Sequence, residues 1–245
     1  MHKKSKANIL GSYIDIIDFA GAIDQIKTYI RLKKPTQVIT LNAEIVYNAQ
    51  EDKKLQKIIN QADLVTPDGI GIVWAARRLG WEVKERVTGI DMVYNICEEA
   101  EKEGYKIYLL GAAPEVITKA AANLRQDYPQ LNIVGTKDGY FTEEEIANII
   151  DEIKKARPDI LLVALGAPKQ EYFIDEHKEA LEVPVSIGVG GSFDVIAGVK
   201  KRAPAIFIKL NLEWLYRLIT EPSRIKRQLV LPKFVWAVLR QGKRN

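Results

Sequence analysis

The chain has 245 residues, of which 47% are hydrophobic and 28% charged, a composition that excludes disordered, collagen-like and low-complexity proteins. A single cysteine excludes an intramolecular disulfide framework and a cysteine-rich zinc site, and two histidines argue against a histidine metal site. The basic N-terminus leads into no long apolar run, and no stretch of about 18 uncharged apolar residues follows. We therefore expect a cytoplasmic protein with neither a signal peptide nor a membrane-spanning helix.

The net charge of +4 is unevenly distributed along the chain. Residues 200–245 contain 12 Lys or Arg and 2 Glu, whereas the other 199 residues contain 24 basic and 30 acidic side chains. A basic segment of this kind is typical of proteins that bind nucleic acid, anionic lipid or a phosphorylated substrate. We divide the chain into a domain over residues 1–199 and a basic appendage over residues 200–245.

Short β-branched runs alternate with helix-period segments over residues 8–199. Near-continuous apolar runs of this kind are typical of strands that a parallel sheet buries on both faces. The runs that we interpret as strands are 37–41, 106–110, 160–165 and 185–189. Helical spacing of isoleucines at 23–30 and 146–153 predicts helices between them. The pattern predicts an α/β domain with a mostly parallel sheet.

The appendage contains two apolar segments that alternate with cations. An amphipathic pattern runs from Pro204 to Glu221 and is broken at Pro222, and a second apolar stretch occupies residues 234–239. Such segments are typical of helices that lie at a membrane interface. Two helices that pack on the domain and expose a basic face would have the same pattern, so both interpretations stay open.

In open α/β sheets, ligands bind beyond the carboxyl ends of the strands, so polar residues directly after strands are the first candidates. Thr40 and Asn42 end the first predicted strand and point the same way from an extended chain, although a helix cap explains them equally well. Asp68 follows a short strand in a Pro-Asp-Gly turn. There it is either a turn residue or a carboxylate placed to act as a base.

Three later clusters combine glycines with polar residues at strand ends. Gly111 begins a small-residue turn that suits either anion binding or tight packing. Gly166 precedes Lys169, Gln170 and Glu171, and a cation in the first turn of a helix is locally unfavourable, which points to an anionic ligand. The 188–194 loop contains three glycines that allow a ligand to approach the backbone.

Several motifs of other enzyme classes are missing. The chain has no Asp-x-Asp pair, the usual carboxylate clamp for the metal of nucleotide-sugar enzymes. It also lacks a P-loop and a Gly-x-Ser-x-Gly nucleophile turn, which argues against a P-loop ATPase and an α/β hydrolase. The missing third glycine of the dinucleotide fingerprint argues against a nicotinamide-dependent oxidoreductase.

Taken in order, the motifs resemble the WecG/TagA/CpsF family of glycosyltransferases over nearly the whole chain. The matching segments are Thr40-x-Asn42, 62–69, Arg86-Val87-x-Gly89-x-Asp91, Gly166-x-Pro168-Lys169-Gln170-Glu171, 188–194, Arg202-Ala203-Pro204 and 212–227. Each segment alone is weak evidence for the family, whereas the ordered set is highly specific for it.

The resemblance implies a Rossmann-like fold with helices on both faces of the sheet, and transfer of N-acetylmannosamine from its UDP donor to undecaprenyl-diphosphate-linked N-acetylglucosamine. This step builds the linkage unit of wall teichoic acid. Another donor, such as UDP-N-acetylmannosaminuronic acid, stays open. The implied reaction inverts the anomeric centre. Because the Asp-x-Asp clamp is missing, we expect the reaction to need no metal, and we expect no other cofactor. The partners would be the two substrates and, through the appendage, the inner face of the cell membrane, and no nucleic acid is expected. When no membrane is present, a second copy of the chain is a hypothetical partner that would cover the apolar side chains of the appendage. A nucleotide- or nucleic-acid-binding module without catalysis is a remote alternative.

The implied reaction leads to a hypothesis about the roles of individual residues. Asp68 would be the base, while Thr40, Asn42 and Gln170 would hold the hydroxyls of the sugar and the acceptor. Guanidinium groups suit the diphosphate because they donate in a fork to phosphate oxygens. The arginines expected there are Arg86, Arg217, Arg224 and Arg227. For the three in the appendage, general attraction to anionic lipid is the alternative. The residues expected to contact the rest of the substrates are Gly111, Gly139, Tyr140, Gly166, Lys169, Glu171, Gly190, Gly191 and Asp194, with Tyr140 stacking on the uracil.

Overall fold

The computed structural model of the protein describes residues 6–221 and 229–242. Arg224 and Arg227, both expected at the diphosphate, lie outside the described residues. Their predicted role therefore stays a prediction.

A six-stranded parallel sheet forms the centre of the domain, in the order β4-β3-β8-β7-β5-β6. Four of its strands are the predicted ones, with bounds that shift by at most one residue. The strands are β3 (Thr36–Leu41), β4 (Leu64–Pro67), β5 (Lys106–Gly111), β6 (Asn132–Lys137), β7 (Ile160–Ala164) and β8 (Val185–Gly188). The α/β class and the parallel sheet are confirmed.

Helices cover both faces of this sheet, because successive residues of each strand point to opposite sides. In β5, Ile107 and Leu109 belong to one buried cluster while Tyr108 and Leu110 belong to another. The first face is covered by α1 (Phe19–Leu32), α5 (Gly89–Glu103), α6 (Pro114–Asp127) and α9 (Ser192–Ile196). The second is covered by α2 (Ala43–Asn48), α3 (Lys53–Gln61), α4 (Ile70–Arg78), α7 (Ile146–Ala156) and α8 (Lys169–Leu181).

An antiparallel hairpin, which the sequence pattern did not predict, precedes the sheet. Its strands are β1 (Lys6–Ile9) and β2 (Ser12–Asp15). Alternate burial places Ala7, Ile9 and Ile14 in the apolar cluster of the second face. The hairpin is therefore part of the domain and closes that side of its core.

The appendage forms three helices in its described part: α10 (Ala205–Lys209), α11 (Glu213–Thr220) and α12 (Val230–Gln241). The amphipathic pattern over 204–221 is interrupted before Pro222, because Asn211 adopts a left-handed conformation with φ of +58°. Phe234 and Val238 of α12 are buried in the core of the second face. This helix therefore packs on the domain through one face. Nowhere in residues 6–221 or 229–242 is a helix both long and apolar enough to cross a bilayer.

Candidate active site

The carboxyl ends of β3 and β8 form the centre of the candidate site. These strands are neighbours, and the chain leaves β3 toward α2 on the second face but leaves β8 toward α9 on the first face. Open α/β sheets bind ligands at such a point. The Thr40 hydroxyl donates to the Gly188 carbonyl oxygen at 3.0 Å and so joins the two strand ends. Thr40 is buried, and its hydroxyl oxygen keeps lone pairs that can accept a further hydrogen bond.

Asp68 lies one strand further along the same edge. It follows β4 directly, and its backbone N–H donates to the Leu41 carbonyl oxygen of β3 at 2.9 Å. Asn42, at the end of β3, caps α2 because its side-chain oxygen accepts from the Ile45 N–H at 3.0 Å. The helix-cap interpretation of Asn42 is therefore confirmed, and Asp68 directly follows a short strand at the sheet edge, as the sequence predicts.

The environment of Asp68 raises its pKa to about 6. Desolvation is the largest cause: the side chain keeps some exposure, but the surrounding protein removes much of the water that would stabilise its charge. The positive charges of Arg217 and Arg86 and the Gly89 N–H act in the opposite direction, and Glu213 adds to the rise. A carboxyl group with this pKa changes protonation state close to neutral pH, which suits a general base.

Arg86 and Arg217 meet on one carboxylate from the appendage. Glu213 of α11 accepts from Arg86 at 3.0 Å on one oxygen and from Arg217 at 2.8 Å on the other. The side chains of Glu213 and Arg86 are 11% and 17% exposed, so their ion pair is largely shielded from solvent, whereas Arg217 is 35% exposed. The structure thus places appendage helix α11 beside Asp68 and the domain's Arg86.

Sequence reasoning missed Glu213. A signal was present, because it is one of only two acidic residues among the 46 of the strongly basic appendage. A carboxylate that is so rare in a basic segment indicates an ion pair with a specific cation. The partner, Arg86, is 127 positions away and could not be identified without the fold.

The start of α5 connects Asp68 to the β8 loop. The Gly89 N–H donates to the Asp68 carboxylate, and a Cβ added at Gly89 would lie 3.4 Å from the Thr40 hydroxyl oxygen and 3.6 Å from the Val189 carbonyl oxygen. A larger side chain at this position would therefore fill the space between the two strand ends.

Gln170 holds the β8 loop from the side of α8. Its side-chain oxygen accepts from the Gly190 N–H at 3.0 Å, and its amide nitrogen donates to Glu171 at 2.9 Å. A Cβ at Gly188 would lie only 2.5 Å from that nitrogen, so a larger residue there would displace the Gln170 amide. Gln170 and Glu171 are 3% and 1% exposed. Both were expected to contact substrate, but their described polar contacts are within the protein.

The glycines at the ends of β5 and β6 serve close backbone packing. Gly111 has φ of +117°, and a Cβ there would lie 2.5 Å from the Ala164 carbonyl group of β7. The Gly139 N–H donates to the Ala112 carbonyl oxygen at 2.8 Å. For Gly111 the tight-packing interpretation therefore accounts for the residue. Tyr140 follows with 77% of its surface exposed, a position open to a planar ligand.

The remaining predicted residues surround the same edge. Lys169 is exposed and lies over the Phe141 ring, with 5.5 Å between its ammonium nitrogen and the ring centroid. This contact stabilises the cation without an anionic ligand.

Gly166 and Gly190 have positive φ angles of +76° and +54° in the turns after their strands. Asp194 forms an ion pair with Lys200 at 3.0 Å. A Cβ added at Gly191 would lie 3.3 Å from the Asp194 carboxylate.

A cleft of about 920 Å³ opens beside Arg86, between α1, α4 and the start of α5. Apolar side chains of α1 and α4, among them Phe19, Ile23 and Val73, line one part of it, and charged side chains line the rest. Asn211 of the appendage completes its wall. Within the described ranges, the structure brings no three His, Cys, Asp or Glu side chains together as a metal site.

Comparison with known proteins gives consistent matches. The model of the family described as "Glycosyl transferase WecG/TagA/CpsF family" matches residues 7–245. Three similar proteins are each named N-acetylglucosaminyldiphosphoundecaprenol N-acetyl-beta-D-mannosaminyltransferase. The chain is 37% identical to the Bacillus spizizenii protein over 87% of this chain and 82% of that protein. It is 37% identical to the Bacillus subtilis protein, covering 96% and 88%, and 36% identical to a Staphylococcus aureus protein, covering 96% and 92%. The chain therefore belongs to the WecG/TagA/CpsF family of glycosyltransferases.

Proposed function

We propose that this protein transfers N-acetylmannosamine from UDP-N-acetylmannosamine to N-acetylglucosaminyl-diphosphoundecaprenol, with inversion at the anomeric carbon and without a metal ion. The acceptor and the sugar are those in the names of the similar Bacillus and Staphylococcus proteins. The observation that carries the proposal is the meeting of a carboxyl group of raised pKa, Asp68, with two arginines that share Glu213.

Asp68 acts as the general base in the proposed reaction. Its carboxylate removes the proton from the acceptor hydroxyl, whose oxygen forms a bond to the anomeric carbon of the donor. The bond from that carbon to the UDP oxygen breaks at the same time, and UDP leaves with the electron pair. One displacement inverts the anomeric centre, and the proton ends on Asp68.

Arg86 and Arg217 neutralise the negative charge that develops on the departing diphosphate. Each guanidinium group has five N–H donors, so the described bonds to Glu213 leave donors for phosphate oxygens. Preorganised cations in a shielded site stabilise developing charge strongly, because little reorganisation is needed during the reaction. This arrangement supplies the electrostatic function that a divalent metal has in other nucleotide-sugar enzymes.

The direct test of the base is the Asp68→Asn variant, assayed with a panel of UDP-sugars and a lipid-diphosphate N-acetylglucosamine acceptor. The amide has the shape of the carboxylate but cannot take a proton, so turnover should fall by about 10²–10⁴-fold. Asp151→Asn, on the exposed side of α7, is the matched control and should keep wild-type turnover. Near-normal turnover of Asp68→Asn would remove the assignment.

The same panel decides the donor. Preferred use of UDP-N-acetylmannosamine supports the proposal. Preferred use of UDP-N-acetylmannosaminuronic acid would identify a different donor for the same chemistry. Activity that survives exhaustive EDTA treatment supports metal independence. Loss of activity that added divalent metal restores would contradict it.

We also propose that the appendage binds the membrane surface at the cytoplasmic face. Several of its large apolar side chains are exposed, among them Ile206, Leu210, Trp214 and Trp236. Apolar side chains next to Lys and Arg suit an interfacial contact, in which each cation contributes about 1 kcal/mol near an anionic surface. Self-association through Ile206 and Leu210 is the alternative way to cover them, and sedimentation with and without vesicles separates the two.

Arg217 distinguishes a catalytic role of the appendage from simple membrane recruitment. Arg217→Glu should lower turnover with a soluble, short-chain acceptor if the guanidinium group acts on the diphosphate. Loss only with a bilayer-bound acceptor would assign the residue to lipid attraction. Lys209→Glu, in α10 of the same appendage, changes charge equally and controls for the general loss of positive charge.

A further inference from the structure

The carboxamide of Gln170 is held at both ends by partners of opposite character. Its oxygen accepts from the Gly190 N–H at 3.0 Å, and its nitrogen donates to the Glu171 carboxylate oxygen at 2.9 Å. If the amide turned by 180°, its nitrogen would face an N–H donor and its oxygen would face a carboxylate oxygen. Only one orientation therefore satisfies both partners.

Glu171 is enclosed beneath this amide. It is 1% exposed, and its backbone carbonyl oxygen accepts from the Gln37 side chain at 3.0 Å, which fixes the first turn of α8 to β3. Its second carboxylate oxygen is buried without a hydrogen-bond partner in the described part of the chain. The same holds for the Gln37 side-chain oxygen and the Ser186 hydroxyl, two residues that lie opposite each other in β3 and β8.

We infer that Glu171 is a positioning residue, which orients the Gln170 carboxamide and thereby fixes the glycine loop over residues 188–191. This inference rests on the proposed function, because it takes that loop as part of the binding site for the UDP-sugar. The inference gives Glu171 an indirect role, in place of the direct contact with substrate that the sequence analysis expected.

The local packing explains why the loop depends on this pair. Gly188 allows the Gln170 nitrogen to approach its backbone, and the Gly190 N–H then has the amide oxygen as its acceptor. Without the acceptor on Glu171, the amide is free to rotate, and the Gly190 N–H loses its partner for part of the time. A loop that binds a diphosphate through backbone groups is then no longer preorganised.

The test combines two substitutions of Glu171 with Gln170→Ala. Glu171→Leu has a similar size but no acceptor, so kcat/KM for the UDP-sugar should fall roughly 10-fold or more, mainly through KM. Glu171→Gln keeps an acceptor for the Gln170 nitrogen and should stay within about threefold of wild type. Adding Glu171→Leu to Gln170→Ala should cause little further loss, since residues that act through one another are not additive.

Two kinetic results would overturn the inference. An equal loss of kcat/KM in Glu171→Gln and Glu171→Leu would mean that the charged carboxylate itself contacts substrate. A double variant whose losses multiply would mean that Glu171 acts independently of Gln170.

A measurement that needs no activity separates this inference from the proposed function. In the ¹⁵N-labelled full chain, the side-chain amide protons of Gln170, assigned with Gln170→Ala, should exchange slowly with solvent in wild type and Glu171→Gln, and faster in Glu171→Leu. Fast exchange in wild type would refute the inference even if Glu171→Leu fails to fold. Slow exchange in a protein that transfers no sugar would refute the proposed function and leave the orientation of Gln170 by Glu171 supported.

Discussion

The charged form of Asp68 should destabilise the folded protein. Its pKa rises from an ordinary value of 3.8 to about 6, because burial removes water from the carboxylate. One pKa unit corresponds to 1.36 kcal/mol, so the difference amounts to about 3 kcal/mol. The folded carboxyl group binds its proton more tightly than the unfolded one, so the free energy of unfolding falls as pH rises from about 4 to about 6 and then stays lower.

Asp68→Asn removes this dependence, because the amide stays neutral at every pH. The variant should match the wild type at pH 4.5 to within about 1 kcal/mol and exceed it by about 3 kcal/mol at pH 7.5. Urea unfolding curves at a series of pH values measure the difference. Subtracting the profile of Asp151→Asn, an exposed carboxyl of α7, corrects for the loss of one negative charge.

The result would also test the electrostatic description of the site. If Asp68→Asn is no more stable than wild type at pH 7.5, Arg86 and Arg217 compensate the buried charge fully. The carboxyl group would then titrate well below neutral pH, and the reasoning that makes it a base with a tuned pKa would be refuted.

Three further changes have distinct expected outcomes. Arg217→Gln removes a charge that lowers the pKa of Asp68, so the acid limb of the pH profile of kcat/KM should move to higher pH; an unchanged limb would contradict this electrostatic effect of Arg217 on Asp68. Glu171→Gln should raise the free energy of unfolding at pH 8 by about 3 kcal/mol and leave it nearly unchanged at pH 5, because burial raises the pKa of Glu171 from 4.5 to about 7. Phe234→Ala should destabilise the protein by about 3–5 kcal/mol, whereas Trp236→Ala, on the exposed face of α12, should cost under about 1 kcal/mol; equal losses would refute the packing of this helix.

The local sequence pattern was sufficient to predict much of the fold of the domain and the position of Asp68. Apolar runs of parallel strands end sharply at glycine or polar residues, so the carboxyl edge of the sheet can be found from the sequence alone. A residue that directly follows such a run, as Asp68 follows β4, must lie at that edge. The roles of the remaining residues of the edge depend on which strands become neighbours.

The contacts between distant segments could not be predicted in this way. Nothing in the local sequence indicates that Glu213 meets Arg86, because a carboxylate accepts from any arginine that the fold brings near. The apolar period of α12 has a similar ambiguity: it indicates that one face is covered, but lipid and protein cover apolar side chains equally well. Only the tertiary position of Phe234 shows that protein covers this face.

The side chain of Gln241 gives the N-terminal hairpin the pair of backbone hydrogen bonds that a neighbouring strand would otherwise provide. Its oxygen accepts from the Leu10 N–H at 2.8 Å, and its nitrogen donates to the Asn8 carbonyl oxygen at 3.1 Å. A carboxamide has the same donor and acceptor as a peptide unit, so Gln241 imitates one residue of an added strand. Unpaired backbone groups at sheet edges are templates for aggregation. The last turn of α12 therefore occupies two backbone groups of the hairpin edge with which another chain could otherwise pair.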